Sequence, residues 1–290
     1  MPNNPKKFLS PGHNACAGCG QLSAAQAVMR GLNENVIITN ATGCLEVTTT
    51  AYPQSAWGLP WIHSLFENAS AVASGILASL KQKGDTTTKV LVQAGDGGTF
   101  DIGLGLISGM WERGENILYI CYDTEAYSNT GIQASGSTPY GASTTTTPDG
   151  AASIGSTQRK KDMLAIALAH GVKYAAQTTA GFPDDITNKV KKALDINGPS
   201  YIQILSPCMP GWKIGNDQAV NMGKLAAQTA LYPLLEYVNG KLTASSIKAD
   251  FQAKPAAEYL NAQGRFRHLK EADIAEIEKL AEENITKYKI

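Results

Sequence analysis

Apolar positions along the chain switch repeatedly between two spacings. Residues Gln21 to Leu32, and the series Phe66, Ala69, Ala73, Ile76 and Leu80 that ends near Gly84, recur every three or four positions, the period of a helix with one buried face. Short apolar runs lie between such stretches: Val36 to Asn40, Lys89 to Ala94, Ile117 to Tyr122 and Tyr201 to Leu205 have the length and β-branched content of buried strands. The same patterns predict helices over Asp101 to Arg113 and Lys161 to His170, a strand over Val172 to Ala176, and a helix presenting Ile186, Val190 and Leu194 on one face. Strands alternating with helices are joined by crossovers. The expected fold is therefore α/β, a doubly wound, mainly parallel sheet with helices on both faces.

Two stretches break this rhythm. Gln133 to Gln158 is rich in Ser, Thr, Gly and Pro, and a loop of that length is expected to be a functional lid or a disordered segment. After residue 235 comes a hairpin-like stretch around Tyr237 to Leu242, then a charged helix from Glu271 to Lys289 with Ile274, Ile277, Ala281 and Ile285 on one face. Residues 1–235 accordingly read as the main domain, and 236–290 as a C-terminal extension packed on that domain or on a partner. An N-terminal segment carrying cysteines precedes the first helix.

Composition narrows the function classes. With 43% hydrophobic residues in 290, the chain can bury a substantial core. Its 25 basic and 25 acidic residues are interspersed and sum to a net charge of +0, which argues against a nucleic-acid or anionic-membrane surface. Charged residues make up 17%, below the roughly 25% of an average soluble domain, as expected if other chains cover part of the surface. No apolar stretch follows Lys6 and Lys7 that could form a signal-peptide core, and no segment approaches the roughly 20 apolar residues of a membrane span. The expectation is a cytoplasmic protein whose five cysteines stay out of structural disulfides.

Gly95-Asp96-Gly97-Gly98 directly follows a predicted strand and precedes a helix, so it forms a tight turn at the carboxyl end of the strand. Ligands of open α/β sheets bind there. Glycines let a phosphate approach the backbone, and the carboxylate of Asp96 can hold a hard cation such as Mg2+, which takes one or two protein oxygens beside water and phosphate. One crossover later the strand Ile117 to Tyr122 runs into a second loop. Thr124 there offers a hydroxyl, Ala126 a backbone carbonyl and Asn129 an amide. Successive parallel strands put both loops on the same edge of the sheet. A dinucleotide fingerprint fits less well, because Phe100 stands where its third glycine belongs. Taken alone, the glycine run is also compatible with an ordinary strand-to-helix turn.

Cys16 and Cys19 form a CxxC pair before the first helix, Cys44 lies 25 residues beyond Cys19, and Cys208 follows the last core strand. Four thiolates are what a 4Fe-4S cluster requires, while a CxxC alone also suits a redox dithiol or half of a zinc site. Spacing leaves cluster, zinc and unrelated thiols open. Cys121 lies inside an apolar strand and reads as a small core residue.

Gly95-Asp96-Gly followed by Asn129 about thirty residues on resembles the thiamine-diphosphate motif, and Asp123 to Gly131, DTEAYSNTG, resembles one branch of it. That branch is the pyruvate:ferredoxin oxidoreductase family, specifically its beta subunit. The likeness extends through Pro60 to Glu67 and Gln263 to Arg267 and covers nearly the whole chain. It implies that Asp96, Thr124 and the Ala126 carbonyl hold Mg2+, with Asn129 near the thiamine and the substrate. It also implies that Cys16, Cys19, Cys44 and Cys208 hold a 4Fe-4S cluster, CAGCG and Gly43-Cys44 being the family's pattern. His63, Glu67 and Asn68 fall in a segment similar to the family's active-site surroundings, with Glu67 a cofactor neighbour; without the resemblance a lone His or Glu at a helix start is a cap or a structural hydrogen bond.

The activity so implied is coenzyme A-dependent oxidative decarboxylation of pyruvate, reversible, with electrons passing through the cluster to ferredoxin. Another 2-oxo acid or oxalate is an alternative substrate. The chain has room for only the diphosphate half of a thiamine site, so the resemblance implies further subunits that supply a pyrimidine-binding domain with its glutamate and additional iron-sulfur clusters. A cluster-free thiamine decarboxylase and a non-catalytic iron-sulfur electron carrier are the rival classes.

Overall fold

The computed structural model describes residues 8–51, 53–245 and 253–290, so the N-terminal run through Lys7, where a targeting signal would begin, lies outside the described residues. In chain order, the first half comprises α1 (Gly20–Gly31), β1 (Val36–Ala41), α2 (Cys44–Thr49), β2 (Trp61–Ser64), α3 (Ala69–Gln82), β3 (Lys89–Gly95), a π-helical turn (Gly97–Asp101), α4 (Leu104–Glu112) and β4 (Ile117–Asp123). There follow the two-residue strands β5 (Asp149–Gly150) and β6 (Ser153–Ile154), then α5 (Met163–Ala169), β7 (Tyr174–Thr179), α6 (Pro183–Asp195) and β8 (Ser200–Leu205). The chain closes with α7 (Met209–Trp212), α8 (Ala219–Gln228), β9 (Leu235–Val238), β10 (Lys241–Ser245), α9 (Ala256–Asn261), a 3-10 turn (Gly264–Phe266) and α10 (Glu271–Tyr288).

Strand residues alternate between two buried layers because successive side chains point to opposite faces. Ile38, Leu91, Ile120 and Ile202 pack with α1 and α6, through Val28, Ile186 and Val190 among others. Val90, Val92, Tyr119 and Tyr201 pack on the other face with α3, α4 and α5, through Ala73, Met110 and Leu164. Both faces of the sheet are thus covered, as the near-continuous apolar strands require. Met110 is fully buried, and burial of such a side chain contributes roughly 1.5–3 kcal/mol.

The main sheet runs β10-β9-β7-β8-β4-β3-β1-β2. Six strands, from β7 to β2, are mutually parallel; β9 is antiparallel to β7, and β10 to β9. β1 lies between β2 and β3, so the chain leaves β1 toward one edge and continues from β3 toward the other. That reversal opens a crevice outside the carboxyl ends of β1 and β3, where open α/β sheets bind ligands.

Several boundaries differ from the sequence expectation for local reasons. α4 starts at Leu104 rather than Asp101, because residues 97–101 wind more widely: Ile102 donates its N–H to Gly97, and the Thr99 hydroxyl bonds back to the Gly95 carbonyl at 2.7 Å. α5 starts at Met163 rather than Lys161 because Asp162 caps it, accepting from the Ala165 N–H at 2.9 Å. The short elements α2 and β2 carry too few apolar positions to show a period. The boundary at 235/236 falls inside β9, which pairs with β7 in the register Tyr174↔Val238, and Asn239 and Gly240, both with positive φ, turn the chain tightly into β10.

The segment between Gln133 and Gln158 is packed at both ends, with Ser137, Thr138, Ala142 and Ser156 buried, while residues 148–153 are exposed. The C-terminal extension packs on the main domain: Tyr259, Leu260, Phe266 and Ile277 share a core with Leu205, Trp212 and Met222.

Candidate active site

Asp96 sits at the end of β3 with 1% of its surface exposed. Its Oδ1 accepts from the Thr124 N–H at 3.1 Å and from the Thr124 hydroxyl at 2.9 Å, and its Oδ2 accepts from Ser135 Oγ at 2.5 Å. Thr124 Oγ1 also lies 3.1 Å from the Ala126 carbonyl and accepts from Ser128 Oγ at 2.9 Å. Register explains the meeting, since Gly95 on β3 pairs with Tyr122 on β4, and Asp96 and Thr124 follow one and two residues later. Asp96, Thr124, Ala126, Ser128 and Asn129 line one cavity of about 180 Å3 together with Asn40 to Leu45 from the end of β1.

Among the described residues no cationic side chain pairs with Asp96. Burial pushes its carboxyl up to about 7, the charge of nearby Asp123 adds to the rise, and the bonds from Ser135 and Thr124 oppose it. Asp123 differs, because Lys160 Nζ stands 2.6 Å from its Oδ2. A bound cation would supply the missing charge at Asp96. Hexacoordinate Mg2+ holds oxygens at about 2.0–2.1 Å and at right angles, which sets adjacent ligand oxygens about 2.9 Å apart. The separations of 2.9 Å from Asp96 Oδ1 to Thr124 Oγ1, and 3.1 Å from Thr124 Oγ1 to the Ala126 carbonyl, match that spacing. Among the described residues no group of three or more His, Cys, Asp or Glu is placed to hold a metal ion. One carboxylate, one hydroxyl and one carbonyl form a different kind of site, with positions left for phosphate and water.

Gly97 is required by contact: a Cβ there would stand 2.3 Å from the ring of Tyr127, whose hydroxyl donates to Asp101 Oδ2 at 3.0 Å. Gly95 lines the cavity and Gly98 packs against the Phe66 carbonyl. Phe66 reaches the cavity, but Glu67 is not among its lining residues. His63 bonds Thr42 Oγ1 at 2.8 Å and lies 3.7 Å from Glu46, on the rim rather than in the cavity. Ser135, Ser128 and Thr42 escaped the sequence reading. They lie in loops with no periodic signal, and only the strand ends of a known topology would have pointed to them.

Cys16, Cys19, Cys44 and Cys208 line a second cavity, of about 50 Å3. The four thiols surround it rather than converge on one ion. Gly20 makes the approach possible, since a Cβ there would lie 2.5 Å from the Pro207 carbonyl and hold the start of α1 away from Cys208. Cys19 caps α1, its Sγ accepting the Leu22 N–H at 3.5 Å. Burial raises the Cys19 thiol above its ordinary value, against the Leu22 and Gln21 backbone bonds. Burial pushes Cys44 up to about 11, opposed by a hydrogen bond from the Asn129 side chain. Cys44, Leu45, Gln21, Thr124 and Ser128 belong to the walls of both cavities. Cys121 is buried in β4, on the face away from α1.

Residues 41–204 match the family described as thiamine pyrophosphate enzyme, C-terminal TPP binding domain. Pyruvate synthase subunit PorB of Methanothermobacter marburgensis is 50% identical over 273 residues, covering 94% of each chain. Ketoisovalerate oxidoreductase subunit VorB of Pyrococcus furiosus is 41% identical over 292 residues, covering 96% of this chain and 94% of that one. A solved structure of 2-oxoglutarate:ferredoxin oxidoreductase from Magnetococcus marinus, with 2-oxoglutarate, coenzyme A and succinyl-CoA bound, contains a chain that matches with a TM-score of 0.60 at 26% identity, over 71% of this chain and 69% of that one. Among the described residues no helix is long and apolar enough to cross a membrane.

Proposed function

The chain belongs to the 2-oxoacid:ferredoxin oxidoreductase family as its thiamine-diphosphate-binding beta subunit, and from that premise we propose that it carries both the decarboxylation site and the first electron acceptor of a pyruvate:ferredoxin oxidoreductase. Pyruvate is favoured over a branched 2-oxo acid because the relatives named pyruvate synthase reach 50% identity, against 41% to 42% for those named ketoisovalerate oxidoreductase. The enzyme works with coenzyme A and ferredoxin in the reducing cytoplasm.

Asp96, Thr124 and the Ala126 carbonyl would hold Mg2+, and Gly95 to Gly98 let the diphosphate approach the backbone. Bound thiamine diphosphate supplies the electron sink that departing carbon dioxide requires. Asn129 lines the same cavity and is exposed at its mouth, where its amide would meet the substrate. Cys16, Cys19, Cys44 and Cys208 would hold a 4Fe-4S cluster. The observation that carries this reading is the shared wall: Cys44 lines the cavity of Asp96 and the cavity of the four cysteines alike. An electron leaving the first has only that wall to cross.

Asp96 is the one acidic residue among those lining the cofactor cavity. The relatives are named as subunits, which supports a hetero-oligomeric active form in which another chain would supply the acid facing the aminopyrimidine. The test is an anaerobic assay of the assembled complex with coenzyme A and a panel of pyruvate, 2-oxoisovalerate, 2-oxoglutarate and oxalate, recorded with the visible spectrum. We expect the highest kcat/KM on pyruvate and bleaching of a broad iron-sulfur absorbance during turnover. A branched substrate in first place overturns the substrate, and a colourless active complex overturns the cluster.

A further inference from the structure

The loop after β4 has a front and a back. Thr124, Ala126 and Ser128 line the cofactor cavity, whereas Glu125 points into the protein behind it. Glu125 has φ 60°, a left-handed conformation that a side chain keeps only where its surroundings hold it. Those surroundings come from distant parts of the chain. Its Oε2 accepts from Arg265 Nη2 at 2.6 Å, its Oε1 from Lys160 Nζ at 2.8 Å, and its carbonyl from Thr138 Oγ1 at 2.8 Å.

Arg265 is 2% exposed and lies in the 3-10 turn of the C-terminal extension. Its guanidinium carbon is 3.9 Å from the centre of the Trp212 ring, and its Nε donates to Gln263 at 2.9 Å. Trp212, at the end of α7, donates its indole N–H to the Thr124 carbonyl at 2.9 Å. One stacked Trp–Arg pair therefore grips two consecutive loop residues, Thr124 by its carbonyl and Glu125 by its carboxylate.

We infer that Trp212 and Arg265 form a clasp that positions the metal-binding loop. Fixing the Thr124 carbonyl and the Glu125 side chain leaves the peptide units between Thr124 and Ala126 one orientation. In that orientation the Thr124 hydroxyl and the Ala126 carbonyl stand at the spacing of adjacent Mg2+ ligands. The planar guanidinium is needed because it pairs with a carboxylate at its edge while stacking on indole with its face, which an ammonium cannot do. A well-packed apolar pair would serve stability as well as a buried ion pair. The arrangement is accounted for by what the loop must present at its front. The inference rests on Asp96, Thr124 and Ala126 as the Mg2+ ligands.

Its test measures the Mg2+ concentration at which the assembled complex half-saturates with thiamine diphosphate, by equilibrium dialysis, together with the melting temperature without metal. Trp212→Phe keeps a ring under Arg265 and removes the N–H, and should raise the Mg2+ requirement several-fold, the scale of one neutral hydrogen bond. Arg265→Lys, which keeps the charge and loses fork and stack, should raise it about tenfold or more, the range of outer-shell changes at metal sites. Activity at saturating Mg2+ should recover in both. Lower melting temperatures with a wild-type Mg2+ requirement overturn the clasp while Asp96→Asn still abolishes binding. If Asp96→Asn also leaves the requirement unchanged, the metal assignment falls and the clasp with it.

Discussion

Asp96 enters its cavity with three hydrogen bonds already made, from the Thr124 N–H, the Thr124 hydroxyl and Ser135. Cys44, in the wall of the neighbouring cavity, is buried enough to push its thiol up to about 11, with the Asn129 side chain opposing the rise. The oxygen site is built before any ion arrives. On the proposed reading its ligands would be one carboxylate that burial raises, one hydroxyl and one carbonyl, held 2.9 and 3.1 Å apart, the spacing of adjacent Mg2+ ligands. The sulfur site cannot be prepared that way, because four thiolates brought together in a poorly solvated place repel one another. Burial raises the thiols of Cys19 and Cys44, so on the proposed reading a cluster would have to displace their protons on loading. Two regions sharing one wall would thus, on the proposed reading, prepare for their metals in two different ways.

The largest effect expected is at Asp96. Asp96→Asn preserves shape and removes the charge, and should weaken Mg2+-dependent binding of thiamine diphosphate by more than about a hundredfold, beyond the range of outer-shell changes. Equilibrium dialysis measures this, and the visible absorbance of the cluster should be unaltered. Loss of both together would mean that the two regions load as one unit and would break the comparison. Cys44→Ser is the reciprocal experiment. Iron content and visible absorbance should fall, while the affinity for thiamine diphosphate stays within about threefold, less than one hydrogen bond's worth. A full spectrum in that variant removes Cys44 from the ligand set.

These two residues were legible in the sequence because each stands at the end of an apolar strand, where topology decides what meets what. The Asp96 turn and the Thr124 to Asn129 loop follow neighbouring strands, and parallel order alone brings them together. The switch point at β1 and β3 was not legible, since β2 is a four-residue edge strand with no apolar alternation to announce it. Glu67 shows the limit of adjacency: Phe66 beside it reaches the cavity and Glu67 does not line it. The back of the metal loop was invisible for another reason. Glu125 meets residues 35 and 140 positions away, and its left-handed φ is imposed by those partners rather than by a local turn signal.

Ser135→Ala probes how much the prepared state of Asp96 is worth. Losing that donor should cost about tenfold in Mg2+ affinity, the lower end of outer-shell changes. A pH series tests the same point without mutation. The Asp96 carboxyl is raised from its ordinary 3.8 to about 7, mainly by burial. The metal-free fold therefore gains from the bound proton below the ordinary carboxyl range and loses that contribution as pH rises through about 7. Mg2+ competes with the proton for the same oxygens. The rise in Tm given by Mg2+ with thiamine diphosphate should grow from about pH 5 to about pH 8. An increment that is flat in pH would mean that the carboxylate is charged without the metal.

The smallest effect expected is at the contact between the two regions. Asn129 is exposed at the mouth of the cavity that Cys44 also lines, and its side chain lowers the Cys44 thiol against the effect of burial. A hydrogen bond to a ligand sulfur stabilises the more negative, reduced state of a cluster and raises its potential. Asn129→Ala should therefore move the midpoint potential in the negative direction. One hydrogen bond of about 0.5–1.5 kcal/mol corresponds to roughly 20–60 mV for a one-electron couple. A redox titration of the visible absorbance in the assembled complex reads the shift without requiring turnover. If turnover falls while the potential holds, Asn129 serves the substrate alone and the wall between the cavities is only a partition. If the potential moves while thiamine diphosphate affinity holds, the same amide sets both where the substrate reacts and how readily its electrons leave.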